Sequence, residues 1–195
     1  MVKRLKFIAI VGTNASFSFN RLLLNYMQER YRDLAEIEVQ EIKDIPLFNE
    51  DMMSSPPKCV LELIDKVTEA DGVIFATPEY DHAVPAALKS VLEWLSSVAH
   101  PLLHKPVMIV GGSYGVQGTV RAQINLRQIL DAPGVMADIL PANEFMLGTV
   151  KDKLDKEGIT HEKTAEFLDQ CFGNYISFVK DHIMCQAKLL TKEEV

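Results

Sequence analysis

Three stretches of this 195-residue sequence put polar or glycine-rich segments where an apolar run gives way to a helical pattern. Those are the positions at which open α/β sheets hold ligands. The first is Gly12-Thr13-Asn14-Ala15-Ser16-Phe17-Ser18-Phe19-Asn20-Arg21. It is rich in hydroxyls and feeds a helix N-terminus, whose free N–H groups and partial positive charge attract a compact phosphate. Thr13, Ser18 and Asn20 are candidate donors; Ser18 or Asn20 can equally cap the helix. The segment has neither a Walker lysine nor a G-x-G-x-x-G pattern. The second stretch, Thr77-Pro78-Glu79-Tyr80-Asp81-His82-Ala83-Val84-Pro85, has a proline near each end. Both fix φ, so the loop between them is pre-shaped. The third, Gly111-Gly112-Ser113-Tyr114-Gly115-Val116-Gln117-Gly118, has glycines that let backbone approach a flat ligand. It also spells G-x-S-x-G, the nucleophile elbow of serine hydrolases, for which Asp138 and His161 or His182 would complete a triad. In an elbow the helix follows the serine at once, whereas Val116-Gln117-Gly118 prolongs the loop.

The elements that must carry these loops follow from periodicity. Leu5 to Val11 is nearly all apolar apart from Lys6 and reads as a parallel strand buried on both faces. Asn20 to Leu34 carries Leu23, Leu24, Met27, Tyr31 and Leu34 at helical spacing, and Ile37 to Ile42 alternates like an edge strand. Asp44 to Pro57 holds three prolines and reads as a long irregular connection. Pro57 to Ala70 is helical through Val60, Leu61, Ile64 and Val67, and Gly72 to Ala76 is the third strand. Beyond the second loop, Val84, Leu88, Val91, Leu92 and Leu95 make one apolar stripe along a helix over Ala86 to Ser97. A fourth strand is expected over Pro106 to Val110 and a helix over Thr119 to Leu130. A short fifth strand over Val135 to Leu140 is extended by Phe145 and Met146. Lys151 to Thr160 should be a surface hairpin or loop, and His161 to about Leu190 a closing helix. This alternation predicts one α/β domain over 1–195, a doubly wound five-stranded parallel sheet of order 2-1-3-4-5. The three loops then meet at one crevice.

Pro78-Glu79-Tyr80-Asp81-His82, followed by Pro85-Ala86-Ala87-Leu88-Lys89 and Trp94, resembles the PEYN(H)…P-x-x-LK…W signature of the NAD(P)H-dependent FMN reductases. These are flavodoxin-like enzymes that include quinone, azo-dye and chromate reductases. The first loop resembles that family's G-S-x-R-x-x-S-x-N-R through Gly12, Thr13, Ser18, Asn20 and Arg21. The third resembles its S-x-G-x-x-G through Ser113, Gly115 and Gly118. The resemblance implies FMN as cofactor and NAD(P)H as co-substrate. It implies FMN contacts from Thr13, Ser18, Phe19 and Asn20 on the phosphate side, from Pro78, Glu79, Tyr80 and Asp81 beside the ring, and from Ser113, Tyr114, Gly115 and Gly118 at its pyrimidine edge. Two positions depart from the pattern: Asp81 stands for an asparagine and Ala15 for an arginine. An acceptor-only carboxylate replaces an amide that can donate. A guanidinium is also missing from the phosphate loop, leaving Arg21 or further backbone contacts to compensate.

The implied activity is transfer of hydride from NAD(P)H through FMN to free flavin, a quinone or a similar small-molecule acceptor. The cofactor does the chemistry, so no catalytic side chain is expected. Alternatives are a non-catalytic flavin-binding protein or electron carrier, and a serine hydrolase using Ser113. The resemblance implies a homodimer or higher homo-oligomer, with Trp94 and the Pro46 to Pro57 loop as candidate walls near the interface; the Met52-Met53 pair and Trp94 are candidates for a pocket wall or, as such residues more commonly do, for filling the core. A net charge of −7, with no basic stretch interleaved with aromatics, argues against nucleic acid. Cys59, Cys171 and Cys185 are odd in number and far apart, which suits free thiols in the cytoplasm rather than disulfides or a metal site. His100 and His104 have Pro101 between them, so they do not share a helix face as metal ligands would. The positive start Met1 to Lys6 precedes an apolar stretch too short for a signal peptide or membrane span.

Overall fold

The computed structural model describes residues 4–193, and Met1 to Lys3 lie outside them. Parallel strands β1 (Leu5–Val11), β2 (Ala35–Gln40), β3 (Gly72–Ala76) and β4 (Pro106–Gly112) alternate with helices α1 (Phe19–Arg30), α2 (Lys58–Glu69), α3 (Ala86–Val98) and α4 (Val120–Leu130). β5 (Asp138–Ile139), β6 (Phe145–Leu147), the short α5 (Val150–Lys153) and the long α6 (Glu162–Glu193) complete the chain. The sheet order is β2-β1-β3-β4-β5, the expected flavodoxin-like arrangement. Where one fifth strand was expected, two short ones share the edge of β4: β5 pairs with Pro106 and Val107, and β6 with Val110 to Gly112. The break lies at Pro141, which has no N–H to give a ladder, and Ala142, whose φ of +54° leaves the extended region.

Each face of the sheet has its own core. Phe7, Ala9 and Val11 of β1 face α1 and α6, while Ile8 and Ile10 face α2, α3 and α4. That split is the period-two alternation of a strand buried on both sides. α3 buries Leu88, Val91, Leu92 and Leu95 as its stripe predicts. Two expected core positions are instead exposed, Leu34 beyond the end of α1 and Leu61 on the outer face of α2. Trp94 is fully buried; its indole N–H donates to Pro46 O at 2.9 Å and its ring meets Phe48 edge-on. It therefore anchors the 46–57 connection to the core rather than walling a pocket or an interface. Met52 and Met53 stay partly exposed on that connection. Among the described residues no helix is long and apolar enough to cross a membrane.

Candidate functional site

At the C-terminal ends of β1, β3 and β4 the three loops meet around one cleft. It is lined by Phe17, Ser18, Phe19 and Asn20, by Pro78, Glu79 and Tyr80, and by Gly112, Ser113, Tyr114 and Val150. Eight of the twelve candidate residues are thus brought together. Thr13 joins them through its hydroxyl, 3.2 Å from the Tyr80 hydroxyl. Asp81, Gly115 and Gly118 lie outside the lining. The enclosed volume is about 120 Å³. Pockets that swallow a drug-sized ligand hold roughly 300–1,000 Å³, so a large flat ligand would lie partly in the open here.

The Tyr80 loop is a tight hairpin. Tyr80 and Ala83 exchange backbone hydrogen bonds of 3.1 and 2.9 Å, and between them Asp81 and His82 have φ of +49° and +65°. Positive φ at both central residues marks a type I′ turn, for which Asn or Asp is favoured first and Gly second. Asp81 therefore serves the turn, at its exposed tip. Neither it nor any other side chain caps α3, which starts after Pro85. Glu79 has a different task. Its carboxylate accepts from the N–H groups of Arg121 and Ala122 at 2.9 and 3.1 Å, capping the first turn of α4. A negative group belongs there electrostatically, and the cap ties the Tyr80 loop to α4.

In the first loop Ser18 is the N-cap of α1, accepting from Asn20 and Arg21 N–H at 3.1 and 3.3 Å. Asn20 is buried and does not reach for a ligand. Its amide donates to Gly112 O at 3.0 Å and accepts from Gly112 N–H at 2.9 Å. Alternate residues of a strand face the same neighbour, so Gly112 faces the side where Val110 O accepts from Thr77 N–H. β3 has ended by then, at Ala76. Asn20 fills the vacant ladder position and locks α1 to β4. Upstream, the N–H groups of Ser16, Phe17, Ser18 and Phe19 make no hydrogen bond to any described residue. Four consecutive free amides at a helix start form an anion cradle. Arg21, the cation expected to compensate for Ala15, is engaged in a forked pair with Glu41, which raises its already high pKa.

The third loop is held by Ser113, whose hydroxyl donates to Gly118 O and lies 3.4 Å from Gly115 O. Gly118 has φ of +65°, and a Cβ there would sit 3.0 Å from Met146 Cβ, so the position needs glycine. Asp138 does pair with His182 and His104, at 3.4 and 3.5 Å. It does so beside Pro106, at the far end of β4, roughly 20 Å of strand from Ser113. No serine triad is assembled. Three lining residues were missed in the sequence: Phe17, Gly112 and Val150. Phe17, Phe19 and Tyr114 form an edge-to-face chain with centroids 5.1 and 5.7 Å apart, and Lys151 Nζ sits 4.7 Å from the Tyr114 ring. Tyr114 at 62 % and Phe17 at 60 % exposure make this rim apolar.

The family model of NADPH-dependent FMN reductases matches residues 5–152, which include all three loops. The NADH-dependent flavin reductase subunit 2 of Lactobacillus johnsonii is 47% identical over 182 residues, covering 90% of this chain and 98% of that protein. The NADH:(hydroxy)cinnamate reductase subunit CrdA of Vibrio ruber is 47% identical over 178 residues, covering 90% and 88%. A quinone reductase of Escherichia coli K12 is 34% identical over 197 residues, covering 92% and 100%. Among solved structures, the flavoenzyme NAD(P)H:(acceptor) oxidoreductase FerB of Paracoccus denitrificans superposes with a TM-score of 0.82 at 25% identity, covering 91% of this chain and 98% of that one.

Proposed function

Starting from its membership of the NADPH-dependent FMN reductase family, to which the chain belongs, we propose that this NAD(P)H-dependent FMN oxidoreductase passes its electrons to free flavin, a quinone or a similar flat acceptor. The observation that carries the reading is the row of four amides with no hydrogen bond to any described residue, Ser16 to Phe19, beside a cleft lined by Phe17 to Phe19 and walled by Tyr80 and Tyr114. The residues present fit a monophosphate attached to a flat ring. The amides and the Ser18 hydroxyl would hold the phosphate, with Lys151 adding positive charge on the rim. Pro78, Tyr80, Tyr114 and the 113–118 backbone would border the ring. Bound FMN supplies the hydride-accepting and electron-donating centre. The chain's part is to fix the ring's edge and phosphate and leave one face open, and the shallow cleft suits an acceptor arriving from outside. Homodimer formation and a cytoplasmic location belong to the same reading; the apolar rim and the free thiols support them.

The test is the visible spectrum of the purified protein, identification of the released chromophore, and anaerobic NADH or NADPH oxidation with menadione or FMN as acceptor. A yellow protein that releases FMN and turns over with either acceptor is expected. A colourless protein that also fails to take up FMN would refute the reading. Two relatives at 47% identity carry the word subunit in their names, which favours a second reading: the acceptor is a partner protein docked on the rim of Phe17, Tyr80 and Tyr114. Turnover with small acceptors that is slow alone and accelerates with a co-purified partner would select it.

A further inference from the structure

The phosphate loop has alanine at position 15, yet a guanidinium lies behind it. Arg21 Nη2 donates to Ala15 O at 2.9 Å and to Glu41 Oε2 at 2.7 Å. Its Nη1 donates to Ser16 O at 3.0 Å, and its Nε to Glu41 Oε1. Four of its five N–H donors are therefore committed, and the adjoining carboxylate offsets its charge. A trans peptide points its C=O and N–H in opposite directions, and no described peptide bond is cis. With the carbonyls of Ala15 and Ser16 drawn to Arg21, the N–H groups of Ser16 and Phe17 must face the other way. Glu41 follows β2, on the outer side of β1, whereas the cleft is bounded by the loops after β3 and β4. The other way is the cleft side. Those two amides are among the four without a partner.

We propose that Arg21, braced by Glu41, is a positioning residue for the cofactor phosphate: it grips the outer carbonyls of Ala15 and Ser16 and so aims the Ser16 and Phe17 amides into the cleft. This rests on the reading that the FMN phosphate sits on this loop. A planar fork that grips two carbonyls and a carboxylate at once is a geometry lysine does not reproduce, so the site depends on shape as well as charge.

The experiment measures the dissociation constants of FMN and riboflavin, by flavin fluorescence quenching, for the flavin-stripped full-length chain and for Arg21→Ala, Arg21→Lys and Glu41→Gln. The parent should prefer FMN. Arg21→Ala and Arg21→Lys should each cut that preference by about tenfold or more, the loss expected when a charge-assisted hydrogen bond goes, and leave riboflavin affinity within about threefold. Glu41→Gln should cut it in the same direction, less severely. Retention of the parental preference in Arg21→Ala would overturn the proposal. So would its retention in Arg21→Lys, since charge alone would then suffice. A rise in Glu41→Gln would make Arg21 a direct phosphate ligand instead, and equal losses for both flavins would make it merely structural. A parent with no preference for FMN would sink the phosphate reading beneath it, an outcome distinct from all of these.

Discussion

Asn20 offers a measurement that separates a ligand contact from a structural clamp. Asn20→Ala would strand the N–H and C=O of Gly112, both buried and both bonded to that side chain. Each of these two buried groups left without a partner costs about 1–3 kcal/mol, so a loss of roughly 2–6 kcal/mol is expected. For a chain of this length, 1 kcal/mol moves the melting temperature by about 2–4 °C. The flavin-free mutant should therefore melt about 4–24 °C below the parent. Asn20→Asp should lose a comparable amount: one oxygen still accepts from Gly112 N–H, but the other faces Gly112 O with no proton between them. Thermal melts without flavin, with urea titration as a second probe, read the stability. Affinities for FMN and riboflavin read the site, and both should weaken together because the clamp sets the spacing between the first and third loops. A flavin-free melting temperature within about 2 °C of the parent, with FMN binding lost and riboflavin binding kept, would show that the amide touches phosphate and refute the clamp.

Two further substitutions test the scaffold. Arg30 forks Asp169 at 2.6 and 2.7 Å and Tyr31 donates to it at 3.0 Å, which holds its carboxyl below the usual range. A depressed folded pKa gives stability that is present above the unfolded value near about 4 and lost as pH falls through the folded one. Asp169→Asn should thus be less stable than the parent at pH 7, with the gap in urea midpoint closing under acid; a gap that widened would reverse the sign. His82→Gly removes a side chain held at φ of +65° and should raise the melting temperature. Relief of about 1–2 kcal/mol of left-handed strain exceeds the roughly 0.5–1 kcal/mol of added chain entropy, and a lowered midpoint would mean that the exposed imidazole makes contacts worth more than the strain.

What could be read in the sequence was what local residue types decide. The bounds of β1, β3, α3 and α4 fall within two residues of expectation because uninterrupted apolar runs and helical stripes leave few alternatives. The fifth strand was misjudged because Pro141 and Ala142 interrupt it in a way that apolar content does not register. Leu34 and Leu61 kept helical spacing yet fell outside the packed faces: periodicity says which residues share a face, but not where the partner surface ends.

The loops themselves were legible; the division of labour among their polar residues was not. Ser18 caps its own helix, a bond within three residues that hydroxyl chemistry at a helix start announces. Asn20, Glu79 and Arg21 act across the fold, on Gly112, on the start of α4 and on Glu41. Each therefore looked like a ligand contact when only its neighbours in sequence were in view. Together they tie the loops around an open cleft to the rest of the fold. Asn20 fixes the first loop to the third, Glu79 fixes the second to α4, and Arg21 fixes the first to the strand edge, so side chains that resemble ligand donors hold the loop backbone in place. The backbone amides left without a hydrogen bond to any described residue along the first loop are those of Ser16 to Phe19, and Phe17, Ser18 and Phe19 line the cleft. Backbone amides offer hydrogen bonds with no titratable proton to lose near neutral pH, so cofactor retention should depend on phosphate charge and on the loop geometry that these side chains hold.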